Sequence, residues 1–158
     1  MNAIASNAKP VKIVGLISIV AGVVLIIAGA ATALVVRDQL VAENITLGED
    51  VAMFAGNTVN GPIDAYLQAD IINQHALESS GGLTYAELDR EDPVRASVMN
   101  GSFLRASLFT SVIAFGVAAF AAGMGIMFIL IGWALRKLVD TAPVTTANTP
   151  VAKTGAAA

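Results

Sequence analysis

Cysteine is absent from the 158 residues. This excludes disulfides, thiolate metal sites, cysteine nucleophiles and a cysteine-linked lipid anchor. Histidine occurs once, at His75. A metal site built from several histidines of one chain is therefore excluded, and a Ser-His-Asp triad would have to use His75. No G-x-S-x-G elbow accompanies it. Charged residues make up only 13% of the chain, against about 25% in soluble domains. No basic stripe of the kind that binds nucleic acid is present, so nucleic acid is not an expected partner.

The shortage of charge is local. Residues 13–36 and 106–135 contain no Asp, Glu, Lys or Arg, giving uncharged stretches of 24 and 30 residues. Roughly 20 residues suffice for a helix to cross a bilayer core. The composition predicts an all-α membrane protein: two transmembrane helices forming an antiparallel hairpin, joined by a partly helical extracytoplasmic segment. A soluble fold would have to bury two helices apolar all round, with little chain left to cover them.

Five segments follow. Residues 1–12 are a short basic tail, 13–36 the first span, 37–105 an acidic segment, 106–135 the second span and 136–158 a tail expected to be disordered. The acidic segment holds 11 acidic and 4 basic residues, a net charge of −7. Lys9, Lys12, Arg136 and Lys137 flank the outer ends of the spans, while Arg37 and Arg105 flank the central segment. This bias predicts both termini in the cytoplasm of a plasma (inner) membrane protein and the acidic segment outside. Trp133 sits one turn before the stop at Arg136, where an aromatic belt residue belongs. Ala31-Thr32-Ala33 also matches a signal-peptidase site, which would leave only the second span. The apolar run is longer than a signal core and continues through Val36.

Within the central segment, Pro62 suits the first turn of a helix. Ile63, Tyr66, Leu67, Ile71 and Leu77 recur at helical spacing, and Gly81-Gly82 supplies a stop. Thr84 and Glu87 match a capping box. Asp92-Pro93 can start another turn or two, ended by Asn100-Gly101. Ser102 then serves as the N-cap of the second span. Residues 51–61 are ambiguous.

The most regular pattern lies inside the spans. Gly15, Gly22 and Gly29 recur every seven residues, with Ser18, Leu25 and Thr32 between them. Ser111, Ala118, Gly125 and Gly132 do the same in the second span, with Ala114, Ala121 and Phe128 between. A seven-residue period keeps one stripe against a left-handed partner. Lipid supplies no hydrophobic drive between helices, so close packing depends on small residues. The stripes are candidate packing surfaces, for each other or for helices of another subunit. Neither span carries an ionisable group, which argues against a self-contained pump or channel.

Other constellations are weak. His75 shares a helical face with Asp64 and Gln68, the arrangement of a solvated polar face. The carboxylates at Glu49-Asp50 and at Glu87, Asp89, Glu91 and Asp92 do not match a calcium loop. They read as helix-start acids and solvated charge, with a secondary reading as a surface for a basic partner.

Three stretches carry a resemblance: Gly61-Pro62-Ile63-Asp64-Ala65-Tyr66-Leu67-Gln68-Ala69-Asp70, Gly81-Gly82-Leu83-Thr84-Tyr85-Ala86-Glu87-Leu88, and Met99-Asn100-Gly101-Ser102-Phe103-Leu104-Arg105-Ala106-Ser107-Leu108. Together they resemble a family of small actinobacterial two-span membrane proteins often labelled aromatic ring-opening dioxygenases, over roughly residues 10–138. The label fails on chemistry, because extradiol enzymes need two histidines and a carboxylate on iron. The resemblance instead implies an accessory subunit of the respiratory supercomplex that joins a cytochrome bc complex to cytochrome c oxidase. Such a subunit would carry no cofactor of its own, and its partners would be subunits of those two complexes and lipids. The alternative is a free-standing membrane protein whose outer segment binds a cell-envelope partner or ligand.

Overall fold

The computed structural model describes residues 8–141, apart from 50, 52 and 53. Three helices make up its regular structure: α1 (Ala8–Ala42), α2 (Pro62–Ser79) and α3 (Arg95–Thr141). Among the described residues there is no strand, only an isolated antiparallel bridge between Thr46 and Thr58.

Both long helices overrun the uncharged stretches. α1 is 35 residues long and continues past Arg37; α3 is 47 residues long and starts before Arg105. Ser102 is therefore not an N-cap. It lies inside α3, where its hydroxyl donates to the Val98 carbonyl at 3.0 Å. Asn100-Gly101 does not end a turn either. The α3 N-terminus is prepared by Asp92, whose Oδ1 accepts from the Val94 N–H at 2.8 Å. The expected tail from 136 is helical as far as Thr141; its remainder, from 142 on, lies outside the described residues, as does the segment 1–7.

α1 and α3 lie side by side in opposite directions. Gly15 meets Gly132, Gly22 meets Gly125 and Gly29 meets Ala118, so numbers rise along one helix as they fall along the other. Away from this seam the large apolar side chains are exposed, with Ile17 and Ile27 each 62% exposed and Phe120 69%. Both helices are long and apolar enough to cross a membrane.

The remaining residues form a head at the end where α1 stops and α3 begins. Its core joins Leu40 of α1, Leu108 of α3, Ala65 and Ala69 of α2, and Leu47, Val51 and Val59 of the loop between α1 and α2. That loop is folded on itself. The Leu47 N–H donates to the Asn57 carbonyl at 2.9 Å and the Val59 N–H to the Ile45 carbonyl at 2.8 Å. Asn44 turns the chain out of α1 at φ 52°, a left-handed conformation that asparagine tolerates.

α2 starts at Pro62 and stops at Gly81-Gly82, with the Gly82 N–H donating to the Leu77 carbonyl at 2.7 Å. Both glycines have φ between 67° and 90°, a region costly for a residue with a Cβ. The buried face of α2 matches the expected one in part, since Leu67 and Ile71 pack against the core. Ile63 and Tyr66 are 62% and 52% exposed, while Ala65 and Ala69 are fully buried. Small residues let α2 approach α3, and a Cβ at Gly101 would touch Ala76 at 3.5 Å. Tyr66 instead lies edge-on to Phe109, with ring centroids 5.8 Å apart. The Glu87 half of the Thr84–Glu87 box forms, but only two isolated turns, at 84–88 and 89–92, precede Pro93. Among its described residues the acidic segment thus holds one separate helix, and its ends belong to α1 and α3.

Candidate functional site

The best-defined site is the seam between the long helices, and it is built from what its residues lack. A Cβ at Gly125 would stand 2.5 Å from the Gly22 carbonyl oxygen, and one at Gly29 2.6 Å from that of Ala118. One at Gly15 would stand 2.8 Å from the Gly132 carbonyl. The converse positions at Gly22 and Gly132 are also closer than 3.0 Å to the facing carbonyls. Glycine carries a hydrogen where other residues carry Cβ. That hydrogen therefore points at the facing oxygen, the geometry of a Cα–H···O contact worth about 0.5–1 kcal/mol. The geometry recurs at three levels of the seam.

The glycines also act as holes. Ile129 fills the space over Gly22, Ile26 that over Gly125 and Ile19 that over Gly132. The aliphatic stem of Arg136 crosses Gly15. These isoleucines are not part of the seven-residue stripes. A readable signal for them exists: Gly15/Ile19, Gly22/Ile26 and Gly125/Ile129 each repeat a Gly-x-x-x-Ile spacing. A β-branched side chain at i+4 lies one turn along the same face with little rotamer freedom to lose.

All seven residues of the stripes can be placed. Gly15, Gly22, Gly29, Ala118, Gly125 and Gly132 are buried, and Ser111 is half-buried. The stripes face one another within this chain. Of the intervening residues, Thr32 is exposed, and its hydroxyl donates to the Ala28 carbonyl at 2.9 Å. Ala33 takes the half-buried position beside it. Gly116 and Gly123 lie off the seam, with no atom near the place a Cβ would occupy.

An ion pair closes the seam at the end where α1 begins and α3 stops. Lys12 Nζ lies 2.6 Å from Asp140 Oδ1, and this pairing holds the Asp140 carboxyl below its ordinary pKa. Beside it the Lys137 ammonium lies 6.0 Å from the centre of the Trp133 ring. At the other end Arg105 Nη1 donates to Asn73 Oδ1 at 3.0 Å, tying α3 to α2.

The remaining candidates stay dispersed. Among the described residues no group of three or more His, Asp or Glu could hold a metal ion. His75 is exposed on α2 and lines an open cleft of about 320 Å³ with Ile72, Gly101 and Leu104. Glu87 accepts from the Thr84 hydroxyl at 2.7 Å and from its N–H at 2.8 Å, which lowers its pKa. That carboxylate is a cap. Comparison with known protein families, curated proteins and solved structures gives no match.

Proposed function

We propose that this chain is a two-span membrane protein in which α1 and α3 form an antiparallel transmembrane hairpin. Its head faces outward and both termini lie in the cytoplasm. In this reading it serves as a non-catalytic accessory subunit of a membrane complex, and the quoted resemblance points to the respiratory supercomplex of a cytochrome bc complex and cytochrome c oxidase. The observation that carries the proposal is the contrast between the two sides of the helix pair. The inner side is closed by glycine, and the outer side is a nearly unbroken apolar surface. A surface of that extent needs lipid or other helices around it. The basic residues at the Lys12–Arg136 end support the orientation.

Purification of tagged protein in mild detergent, followed by haem difference spectra, tests this function. Co-elution with b-, c- and a-type haem absorbance is expected. A chain that elutes alone, free of haem, would overturn the subunit reading.

One observation favours the second reading, a free-standing protein whose head binds an envelope partner. Phe103 and Leu104 are 65% and 57% exposed on the part of α3 that extends into the head. Capture of an envelope protein by haem-free material, lost on changing both residues to Ser, would establish it instead.

A further inference from the structure

The head carries a net charge of −7, yet Arg105 lines a cleft in it and Arg95 lies over a ring that lines the same cleft. This cleft, of about 280 Å³, opens between α2, α3 and the turn at 84–86. Arg105 and Asn73 line it together with Leu77, Val98, Tyr85 and Ala86. Arg95 stands over the Tyr85 ring, 4.1 Å from its centre.

Arg105 is held in place before any ligand arrives. Its Nη1 is engaged by Asn73 at 3.0 Å, and its guanidinium lies 5.3 Å from the centre of the Phe109 ring. Its Nε is shielded from solvent and meets no acceptor. Leaving a shielded, charged donor unpaired is costly. The edge formed by Nε and Nη2 is the one with which arginine grips two oxygens of a carboxylate or phosphate. Asn73 occupies the other end of the fork, so this edge is the one left over.

We propose that the cleft binds a small oxyanion: a short aliphatic monocarboxylate, its carboxylate on the free edge of Arg105 and its carbon chain along Leu77 and Val98. At about 280 Å³ the cleft lies at the lower end of small-molecule sites, which run from roughly 300 to 1,000 Å³, and suits a short guest. Ala76, Leu77, Ala86 and Val98 give one part of the wall an apolar surface, along which a carbon chain fits better than a bare inorganic ion does. Glu87, bound to Thr84 on the same rim, adds one negative charge and disfavours a dianion more than a monoanion. The proposal is independent of the membrane complex and of the orientation.

The test uses the full chain in detergent micelles with ¹⁵N-labelled arginine. Propionate, butyrate, hexanoate and inorganic phosphate are titrated separately while the Arg105 Nε–H resonance is followed. A saturable shift with butyrate is expected, with phosphate at least tenfold weaker. Arg105→Gln should abolish carboxylate-dependent shifts throughout the cleft. Ala86→Trp should block the cleft while leaving the Arg105–Asn73 bond in place, and it decides the matter if Arg105→Gln does not fold. The absence of a saturable shift, tighter binding of phosphate than of butyrate, or unchanged binding in Ala86→Trp would each overturn the proposal.

Discussion

Along the paired stretch of α1 and α3 the closest contacts are made by backbone, whereas in the head they are made by side chains. Gly22 and Gly125 bring each helix against the other's carbonyl. In the head, Leu40, Leu47, Val59 and Leu108 bury branched apolar groups, and Val59 is fully enclosed. The difference follows from the surroundings each region is read to have. In water, removal of apolar area stabilises by about 25 cal/mol per Å², so large side chains go inside. In lipid that term vanishes between helices, and what remains is dispersion and weak polar contact at short range. Small residues therefore go inside and large ones outside, as Ile17, Val24 and Phe120 do.

Substitutions on and off the seam should break this comparison most sharply. Gly22→Leu or Gly125→Leu forces a side chain into a facing carbonyl and an isoleucine, and should cost upwards of about 3 kcal/mol, the top of the overpacking range. Thermal unfolding in detergent reads the loss. Gly116→Leu and Gly123→Leu place the same group in open space and should leave the melting temperature of the isolated chain unchanged. Equal losses at all four positions would mean that the seam does not set the result, since helix propensity by itself favours Leu over Gly. Loss of haem co-purification in Gly116→Leu alone would put a partner helix on that face.

The dependence of the head on the pair comes next. Its core borrows Leu108, with Phe109, Val112 and Phe115, from α3 beyond Arg105, and Val36 from α1. A fragment of residues 37–105 lacks all five, so its circular dichroism should be mainly that of unfolded chain. A cooperative melt in that fragment would separate the two regions and strengthen the free-standing reading.

Within the head, Val59→Ala removes two enclosed methyl groups and should cost about 2 kcal/mol, readable by chemical denaturation. The ion pair at the seam's end carries the smallest effect. Asp140 has its pKa lowered by Lys12, so its contribution is present above the ordinary carboxylate range. It is lost as pH falls through the lowered value. Wild type should lose a small margin of stability on acidification below about pH 4 that Asp140→Asn does not, and both partners are exposed, which keeps that margin small.

Much of the pair was legible before any fold was known. Absence of charge marked both stretches, because an unpaired charge in an apolar medium is expensive. Period-seven glycine marked the inner face, because that period holds one side of a helix toward a neighbour. The isoleucines over the glycines were missed because the seven-residue period follows only the small residues, although each isoleucine lies four residues after a seam glycine. The head was harder to read. Ser102 carries a cap's side chain and Asn100-Gly101 a terminator's, yet both lie inside α3. Gly101 is helical because α2 packs there, with Ala76 and Ile72 over it. Tertiary contact outweighed local preferences worth about 1 kcal/mol each.

Composition and spacing alone determined that the chain is helical, that two stretches shun charge, and that each has a small-residue face. Those properties are local, set by what a residue's own side chain can bury or allow. The tertiary structure alone decided that the two faces meet each other and that Gly116 and Gly123 stay open. It also decided that α2 turns its alanines inward, and that Arg105 bonds to Asn73 while its Nε stays unpaired. These outcomes depend on distances between residues far apart in the chain, which no spacing along it encodes.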